Sequence, residues 1–291
     1  MHDHKSNVLI IGLGQIGYNN AEYMSSQGLN VDGYDTNEEA VRRALRDGII
    51  QRETKTFEGY DFYVVCVSTH KPENALLPFL DGIFGIACKL SHEGKRDALV
   101  AIESTITKGV SDKVNQIFRH KLHVAHAPHR FYENEKEIHG VRQTRVLGAC
   151  RTCCMKKALY FYRELLDIPV HVVSSVELAE LSKVIENSYR FMEIAFAEEL
   201  KMFCEAYNLD FDELRAAINS KWNVKVLAAK QGIGGHCLPK DTQMYLDLSQ
   251  RVLKTSLISS AKEVDKHYKV SVARRPDLTI IVPTAIDVCA T

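Results

Sequence analysis

The chain has 291 residues, of which 45% are hydrophobic and 25% charged, and this suits one large globular domain or two. Lys+Arg and Asp+Glu both total 37, so the composition has neither the basic field of a nucleic-acid-binding protein nor an acidic excess. No apolar run approaches the roughly 20 residues that span a bilayer, and the N-terminus lacks the apolar region of a signal peptide, so we expect a cytoplasmic protein.

The first part of the chain alternates apolar runs of β type with amphipathic stretches. The predicted strands cover residues 7–12, 30–34, 62–67, 98–102, 122–125 and 170–173, and the predicted helices cover residues 16–27, 38–46, 77–90, 108–118 and 155–166. Strands that alternate with helices are typical of a parallel sheet with crossover connections. We therefore expect a Rossmann-type, doubly wound α/β domain over residues 1–174.

The composition changes after residue 174. Residues 176–207 contain neither glycine nor proline, which predicts a single long helix. Further helices are predicted over residues 210–219, with Asp210 as the N-cap, and over residues 242–252 and 254–267. We expect a helical domain over residues 175–270 and a tail over residues 271–291, in which residues 277–283 form one more strand.

A dinucleotide-binding signature follows the first strand. Gly12, Gly14 and Gly17 form a G-x-G-x-x-G motif where the strand gives way to a helix. Such glycines allow a tight turn and let a pyrophosphate approach the helix N-terminus, although they can also serve a sharp turn alone. Asp35 ends the second strand, where a carboxylate can accept both ribose hydroxyls, and the next two residues offer no arginine for a 2′-phosphate. The pattern predicts an NAD site.

A second glycine-rich segment, residues 232–241, reads GIGGHCLPKD. It places Cys237 on a predicted loop between a histidine and a Pro-Lys-Asp turn. Two adjacent glycines let the backbone come close to a ligand, and a thiol beside a lysine is better placed to ionise and attack than one in a core. A cofactor that accepts hydride, together with a cysteine that can trap an aldehyde, predicts oxidation of an alcohol to an acid.

Four further residues are weaker candidates, because each also fits an ordinary solvated or loop position. Lys183 and Asn187 lie four residues apart on the long helix and share a face. Thr105 follows the strand over residues 98–102, at the edge where open sheets hold ligands. Glu133 follows the next strand end and could act as a base over the same crevice.

Together these motifs resemble the UDP-glucose/GDP-mannose dehydrogenase family, the nucleotide-sugar 6-dehydrogenases. The resemblance covers residues 7–267 and rests on GLGQIG, on EST at residues 103–105, on AELSKVIENSYR at residues 179–190 and on GIGGHCLPKD. The last motif is highly specific, and its GGHC form is similar to the branch that acts on UDP-N-acetylhexosamines.

The resemblance implies roles for individual residues. It makes Cys237 the nucleophile, and the other catalytic residues are Lys183, Asn187, Asp241, Glu133 and Thr105. The implied cofactor-binding residues are Gly12, Gly14, Gln15, Ile16, Gly17, Asp35, Ser68, Thr69, Thr105 and Lys240. The implied substrate-binding residues are Arg130, Phe131, Lys183, Asn187, Gly234 and Gly235.

The chain departs from the family pattern in three places. Pro128-His129 stands where the family usually has Pro-Glu, so one carboxylate is lost, although Glu133 falls on the second acidic position of members with Pro-Glu-x-x-x-Glu. Residues 67–70 read VSTH where the family has a V-P-T-P-like segment. Family members also continue into a further α/β domain that helps to hold the nucleotide, and we expect this chain to lack it. Its substrate is then either not a nucleotide sugar or one that is held with the help of another chain.

The expected reaction is a four-electron oxidation of a primary alcohol to a carboxylate with two NAD per turnover. In this hypothesis Lys183, or a water held by Asp241, manages the hydroxyl proton, and Cys237 passes through a thiohemiacetal to a thioester. Lys183 and Asn187 stabilise the oxyanion, and Glu133 assists thioester hydrolysis. Two alternatives stay open: a two-electron hydroxyacid dehydrogenase, which needs no cysteine, and a catalytically silent NAD-binding protein.

The sequence also bears on metals and assembly. Cys150, Cys153 and Cys154 cluster as C-x-x-C-C, but no fourth ligand or second knuckle is evident, so we expect no metal there. Histidines at residues 120, 123, 126 and 129 do not share one strand face, and we expect no metal among them either. The long helix offers a face beyond what one small domain can cover, and family members dimerise there, so we expect a homodimer.

Overall fold

The computed structural model of the chain describes residues 6–71 and 73–273. These residues fall into two compact units that divide after Val184. The division lies inside the long helix, and the predicted domain boundary after residue 174 stays a prediction. Within the described ranges, no helix combines the length and the hydropathy that a membrane span requires.

The first unit is built around a seven-stranded sheet in the order β2-β1-β3-β6-β7-β8-β9. The first five strands of this order are parallel, β8 is antiparallel to β7, and β9 is parallel to β8. This order confirms the predicted doubly wound α/β fold. The strands of the sheet are β1 Asn7–Ile11, β2 Asn30–Tyr34, β3 Phe62–Val65, β6 Leu99–Ile102, β7 His123–His126, β8 Arg145–Ala149 and β9 Val170–Val172, and a separate hairpin pairs β4 His70–Lys71 with β5 Asn74–Pro78.

Helices connect these strands. They are α1 Gln15–Ser26, α2 Glu38–Arg46, α3 Asp81–Glu93, α4 Val110–Phe118, α5 Lys136–His139 and α6 Thr152–Leu159, with a 3₁₀ turn at Glu133–Glu135 and a π-helical segment at Tyr160–Leu165. The prediction for α2 matches to the residue because its ends are encoded locally. The Asn37 side chain accepts a hydrogen bond from the Glu39 amide at 3.0 Å, with acidic residues in the first turn and arginines in the last.

Alternate residues of the strands form two apolar layers. On β1, Val8 and Ile10 pack into one layer, while Leu9 and Ile11 pack into the other, and all four are fully buried. Helices cover both faces of the sheet, which explains why β1 is a continuous apolar run without alternation. Packing on both faces holds the strand ends in place, and the loops that follow the strands carry polar groups at that edge of the sheet.

Two predictions in this unit are wrong. Residues 77–90 do not form one helix, because residues 74–78 pair as β5 with β4 and α3 begins only at Asp81. Strand β8 is missing from the prediction, because its apolar run after Arg145 is only four residues long and includes a glycine. Both errors come from reading a short apolar pattern without its long-range partners.

A buried ionic network lies inside the first unit. The Glu103 carboxylate, which has no exposed side-chain surface, accepts hydrogen bonds from Arg145 at 2.7 Å, Asn20 at 2.7 Å and Tyr162 at 2.8 Å. Burial alone would lower the pKa of Arg145, but the adjacent Glu103 charge raises it above its ordinary value. The two side chains form a buried ion pair, and the hydrogen bonds from Asn20 and Tyr162 help to offset the cost of desolvation.

The second unit is helical. The long helix α7 runs over Val176–Ala206, which confirms the predicted single helix, and it is followed by α8 Phe211–Asn219, α9 Cys237–Ser249 and α10 Leu257–Ala273. Asp210 caps α8 as predicted, since its side chain accepts from the Glu213 amide at 2.8 Å. Helix α9 begins five residues before its predicted start at residue 242, and the predicted strand over residues 277–283 lies outside the described residues.

A buried carboxylate on α7 faces α10. Glu198 is fully buried, and neither of its carboxylate oxygens has a hydrogen-bond partner among the described residues. Burial, followed by the negative charge of Asp265, raises the pKa of Glu198 to about 7, whereas Lys269 acts in the opposite direction. Lys269 is itself paired with Asp265 at 2.7 Å, so it neutralises Glu198 only in part.

This environment makes the stability of the second unit depend on pH. The folded state raises the pKa of Glu198 from 4.5 to about 7, so protonation of this side chain stabilises the fold. That contribution to the free energy of unfolding is complete below about pH 4.5 and is lost as the pH rises through 7. At about 1.4 kcal/mol per pKa unit, the loss at pH 8.5 is of the order of 3 kcal/mol. We expect Glu198→Gln to raise the urea midpoint of unfolding at pH 8.5 and to change it little at pH 5. The exposed neighbour Glu199→Gln is the control, and equal shifts for both variants at pH 8.5 would contradict the assignment.

Candidate functional site

The turn between β1 and α1 can be made only with glycine at two positions. Gly12 has φ of 96°, and a Cβ there would lie 2.7 Å from the Cys66 carbonyl oxygen. A Cβ on Gly17 would lie 1.7 Å from the Gly12 carbonyl oxygen, so Gly17 lets α1 pack directly on the turn. The Gly12 amide donates to the Tyr34 carbonyl at 2.8 Å, which ties the turn to β2. These two glycines are structural, whatever binds beside them.

Gly14 has a different role. It is the N-cap residue of α1 and has no side chain with which to cap the helix, and a Cβ there would meet no atom within 4 Å. The N-terminus of α1 therefore faces open space. Helix N-termini attract anions because their amides and the helix dipole point outward. This opening fits the pyrophosphate of a dinucleotide, with Gln15 and Ile16 as the first residues of the helix.

Asp35 is held in place at the end of β2. Its carboxylate accepts hydrogen bonds from the Leu13 amide at 2.5 Å and the Asn37 amide at 2.8 Å. The carboxylate thus lies beside the glycine turn, at the position where a doubly wound fold binds the ribose hydroxyls. Among the predicted cofactor residues, Asp35 is brought together with the Gly12–Gly14 turn.

The remaining cofactor candidates of this unit follow neighbouring strands. Ser68 and Thr69 come after β3, and Thr105 comes after β6, while β1, β3 and β6 are adjacent and parallel in the sheet. Ser68 is exposed, Thr105 is partly buried and Thr69 is buried. All three therefore share the carboxyl edge of the sheet with the glycine turn, as the sequence predicts.

His129 is part of the buried network. One ring nitrogen, Nε2, lies 3.0 Å from the Asn20 Oδ1, and the other, Nδ1, accepts a hydrogen bond from the Phe131 amide at 3.2 Å. These partners fix the tautomer with the proton on Nε2. Burial, then the charges of Arg145 and Lys183, hold the pKa of His129 well below its ordinary value. A neutral histidine therefore occupies the place of the carboxylate that the family pattern has.

The other predicted residues of this segment lie outside the buried network. Arg130 donates to the Thr144 carbonyl at 3.0 Å, and Phe131 packs edge-on against the His129 ring. Glu133 begins the 3₁₀ turn, but its side chain lies outside the described residues. Lys183 is half-buried, and its charge is close enough to His129 to lower the pKa of that histidine.

In the second unit, Cys237 is the first residue of α9 and is exposed. The prediction that it lies on a loop is wrong, because the helix includes the Leu-Pro-Lys segment. Proline is tolerated in a first turn, where its missing N–H would have no partner. The thiol accordingly sits at a helix N-terminus, where a thiolate is electrostatically favoured.

The glycine-rich loop before Cys237 is clamped by α10. Asp265 accepts from the Ile233 amide at 2.8 Å, and Lys269 donates to the Ile233 carbonyl at 2.8 Å. Gly232 has φ of 93°, which disfavours any other residue. Gly234 and Gly235 beyond this clamp are exposed, so the backbone that leads to the thiol is open to a ligand.

Asp241 lies one helical turn after Cys237 and is almost fully buried. The Asn187 amide donates to its Oδ2 at 2.5 Å, and Lys240 pairs with its Oδ1 at 2.7 Å. Lys240 is itself buried, so it holds Asp241 in position. The predicted residues Lys240 and Asp241, on the helix that carries the thiol, and Asn187 on α7 therefore form one hydrogen-bonded group.

The sequence reasoning missed the residues that support the network, namely Asn20, Arg145 and Tyr162. A single arginine within the apolar segment RVLGA is the one signal that was available, because a charge in such a run calls for a buried partner. Asn20 and Tyr162 carry no distinguishing pattern.

Comparisons with known proteins agree with this geometry. Residues 7–128 match the NAD binding domain of 6-phosphogluconate dehydrogenase, and residues 177–267 match the central domain of the UDP-glucose/GDP-mannose dehydrogenase family. The chain is therefore similar to the UDP-glucose/GDP-mannose dehydrogenase family in its central part. It is an oxidoreductase, and its cofactor is NAD.

Individual relatives point the same way. The chain is 27% identical to UDP-N-acetyl-D-mannosamine dehydrogenase of Pyrococcus horikoshii and 28% identical to NDP-N-acetyl-D-galactosaminuronic acid dehydrogenase of Ralstonia nicotianae. Each match covers 89% of this chain and 68% of the relative. The solved structure of UDP-D-ManNAc dehydrogenase from Pyrococcus horikoshii superposes with a TM-score of 0.81 at 25% identity, over 92% of this chain and 70% of that one.

The open space at Gly14 can be tested directly. We expect Gly14→Ala to fold normally but to bind NAD at least about tenfold more weakly, because the added methyl group occupies the approach of the pyrophosphate. Isothermal titration with NAD measures the affinity. Gly82→Ala on α3, which also meets no atom within 4 Å, is the control and should bind NAD as the unchanged chain does. Equal NAD affinity of Gly14→Ala and the unchanged chain would contradict this placement of the cofactor.

Proposed function

We propose that this chain oxidises a primary alcohol of a nucleotide sugar to a carboxylate through a cysteine thioester. The strongest support is the position of Cys237, which is exposed and is the first residue of α9. Asp241 follows it by one helical turn and is held by Asn187 and Lys240. Residues four apart on a helix share a face, so the thiol and the carboxylate are presented together. A two-electron dehydrogenase would need no such thiol.

The chemistry divides between the cofactor and this chain. Bound NAD supplies the hydride acceptor for each of the two oxidations. In the first, the alcohol loses a hydride and a proton, and Lys183 or a water held by Asp241 takes the proton. The Cys237 thiolate then bonds to the aldehyde carbon, which gives a thiohemiacetal whose oxygen Lys183 and Asn187 stabilise.

The second oxidation converts the thiohemiacetal to a thioester. Water then attacks the thioester carbon, the carbon–sulfur bond breaks, and the products are the carboxylate and the free thiol. Glu133, Thr105 and Asp241 are proposed to direct this water. Arg130, Phe131, Gly234 and Gly235 are proposed to contact the sugar substrate.

The substrate class follows from the relatives. Those named above act on UDP-N-acetyl-D-mannosamine and on an NDP-N-acetyl-D-galactosamine derivative, as their names state. We infer a nucleoside-diphosphate sugar with an N-acetyl group as the substrate, and a cytoplasmic location where such sugars are made.

The cysteine step is tested by counting cofactor reduced per substrate. We expect the unchanged chain to form two NADH and one acid per sugar nucleotide. Cys237→Ser should lower the rate of acid formation by about three orders of magnitude or more, as loss of a covalent nucleophile does, while NAD binding persists. Cys88→Ser, an exposed cysteine on α3, is the control and should behave as the unchanged chain. One NADH per substrate, or acid formation by Cys237→Ser at the normal rate, would refute the thioester scheme.

A homodimer through α7 is the second part of the proposal. Ile185, Tyr189, Phe196 and Phe203 are between 45% and 57% exposed, and their spacing of four, seven and seven residues places them on one face of the helix. Monomeric proteins rarely expose such a continuous apolar stripe. A second copy of the same helix is the occupant that the family resemblance supports.

Light scattering tests this assembly. We expect twice the chain mass of 32.9 kDa for the unchanged chain and a monomer for Phe196→Glu, because a buried unpaired charge opposes association. Arg190→Glu, which lies roughly 120° around the same helix, changes charge away from the stripe and should remain dimeric. A monomeric unchanged chain would overturn the proposal.

A further inference from the structure

A cluster of metal-ligating side chains lies in the first unit, apart from the cofactor site. His123 is the first residue of β7, and Cys153 and Cys154 are the second and third residues of α6. One ligand atom from each lies within 4.8 Å of the other two. The sequence alone did not predict this arrangement, because the histidine comes from a strand thirty residues before the cysteine pair.

The cluster lies at the edge of the sheet opposite the cofactor site. Strand β7 is parallel to β6, which is linked through β3 to β1. His123 begins its strand, so it lies at the amino edge, whereas Gly12 follows β1 at the carboxyl edge. A ligand at the cluster would therefore not occupy the NAD site.

The His123 ring is ready to bind a metal. Its Nδ1 is buried without a hydrogen-bond partner among the described residues. Its Nε2 lies 4.0 Å from an Asp97 carboxylate oxygen. Metal binding through Nδ1 would give that atom the partner it lacks, with the carboxylate orienting the ring from the other side.

The two cysteines differ in access. Cys154 is fully buried. Cys153 is exposed, so the cluster is open to solvent on one side. Both cysteines lie in the first turn of α6.

Cys150, the remaining cysteine of the C-x-x-C-C motif, is engaged elsewhere. Its thiol hydrogen-bonds to Asp112. The ligand set is therefore the three residues whose ligand atoms lie within 4.8 Å of one another, namely His123, Cys153 and Cys154.

We propose that His123, Cys153 and Cys154 bind one zinc-class divalent cation, with water completing the coordination. Two thiolates and an imidazole form the donor set that zinc prefers, and harder cations such as magnesium prefer oxygen ligands. Binding displaces the two thiol protons to solvent, so the two sulfur charges balance the charge of the cation. The site is thus a metal site on the far edge of the NAD-binding unit.

Cobalt serves as the spectroscopic probe. The reduced full-length chain is freed of metal with a chelator and titrated anaerobically with Co²⁺, and the thiolate-to-cobalt absorption is recorded. We expect one Co²⁺ per chain, the visible bands of tetrahedral cobalt, and loss of the signal when Zn²⁺ is added. Zn²⁺ should also raise the thermal midpoint of the unchanged chain, since it binds only the folded state.

Variants assign the signal to this cluster. Cys153→Ser, which changes an exposed side chain, and His123→Asn should each weaken Co²⁺ binding by at least about 100-fold. Cys88→Ser, with an exposed thiol outside the cluster, should retain the signal. Cys237→Ser should retain it too, which excludes the adjacent His236-Cys237 pair as the source.

Three outcomes would overturn the proposal. The first is the absence of thiolate-to-cobalt absorption in the reduced unchanged chain. The second is a signal that survives Cys153→Ser, and the third is a signal that disappears in Cys237→Ser. None of these readouts depends on turnover, so a failure here is separate from a failure of the proposed oxidation.

Discussion

The buried charge of Glu103 is the constraint on which the first unit depends. An isolated carboxylate in a dry interior is costly, and here it is compensated by Arg145, Asn20 and Tyr162. These three donors come from β8, α1 and the π-helical segment, so the charge draws together elements that are far apart in sequence. Replacing such a pair with apolar residues can be neutral for stability, but losing one partner is not. The network therefore specifies arrangement more than it adds stability.

That arrangement bears on the cofactor. Asn20 lies on α1, whose N-terminus is the predicted pyrophosphate site, and Glu103 directly follows β6 and lies two residues before Thr105. The hydrogen bond between them fixes the helix against the end of β6. His129 extends the same network, with its Nε2–H directed to the Asn20 oxygen. An ionised glutamate at this position could not donate to that oxygen, and it would add a second negative charge beside Glu103. A neutral histidine is therefore compatible with this network, whereas a glutamate is not.

The sequence predicted most where structure is encoded locally. The glycine turn after β1, the Asn37 cap of α2, the Asp210 cap of α8 and the uninterrupted α7 each depend on residues within a few positions. The sequence was a poor guide where the structure depends on contacts between residues that are distant in the chain. Strand β8 contains an arginine that is tolerable only opposite Glu103, and the metal cluster needs a histidine from a different element. The start of α9 was misplaced for a local reason, since the proline after Cys237 reads as a loop although a first turn accepts it.

Reactivity among the described cysteines follows from position in the fold. Cys66 is partly buried beside Glu103, and burial, followed by that charge, raises the pKa of its thiol well above the ordinary value. Cys88 is exposed but lies in the second half of α3 and not in the first turn of a helix. Cys153 and Cys237 are both exposed and both lie in the first turn of a helix. Cys153 lies beside His123 and the thiol of Cys154. Cys237 is followed, one helical turn later, by the buried carboxylate of Asp241. The cysteine that we propose as a metal ligand and the cysteine that we propose as the nucleophile therefore share a position at the start of a helix and differ in the groups around them.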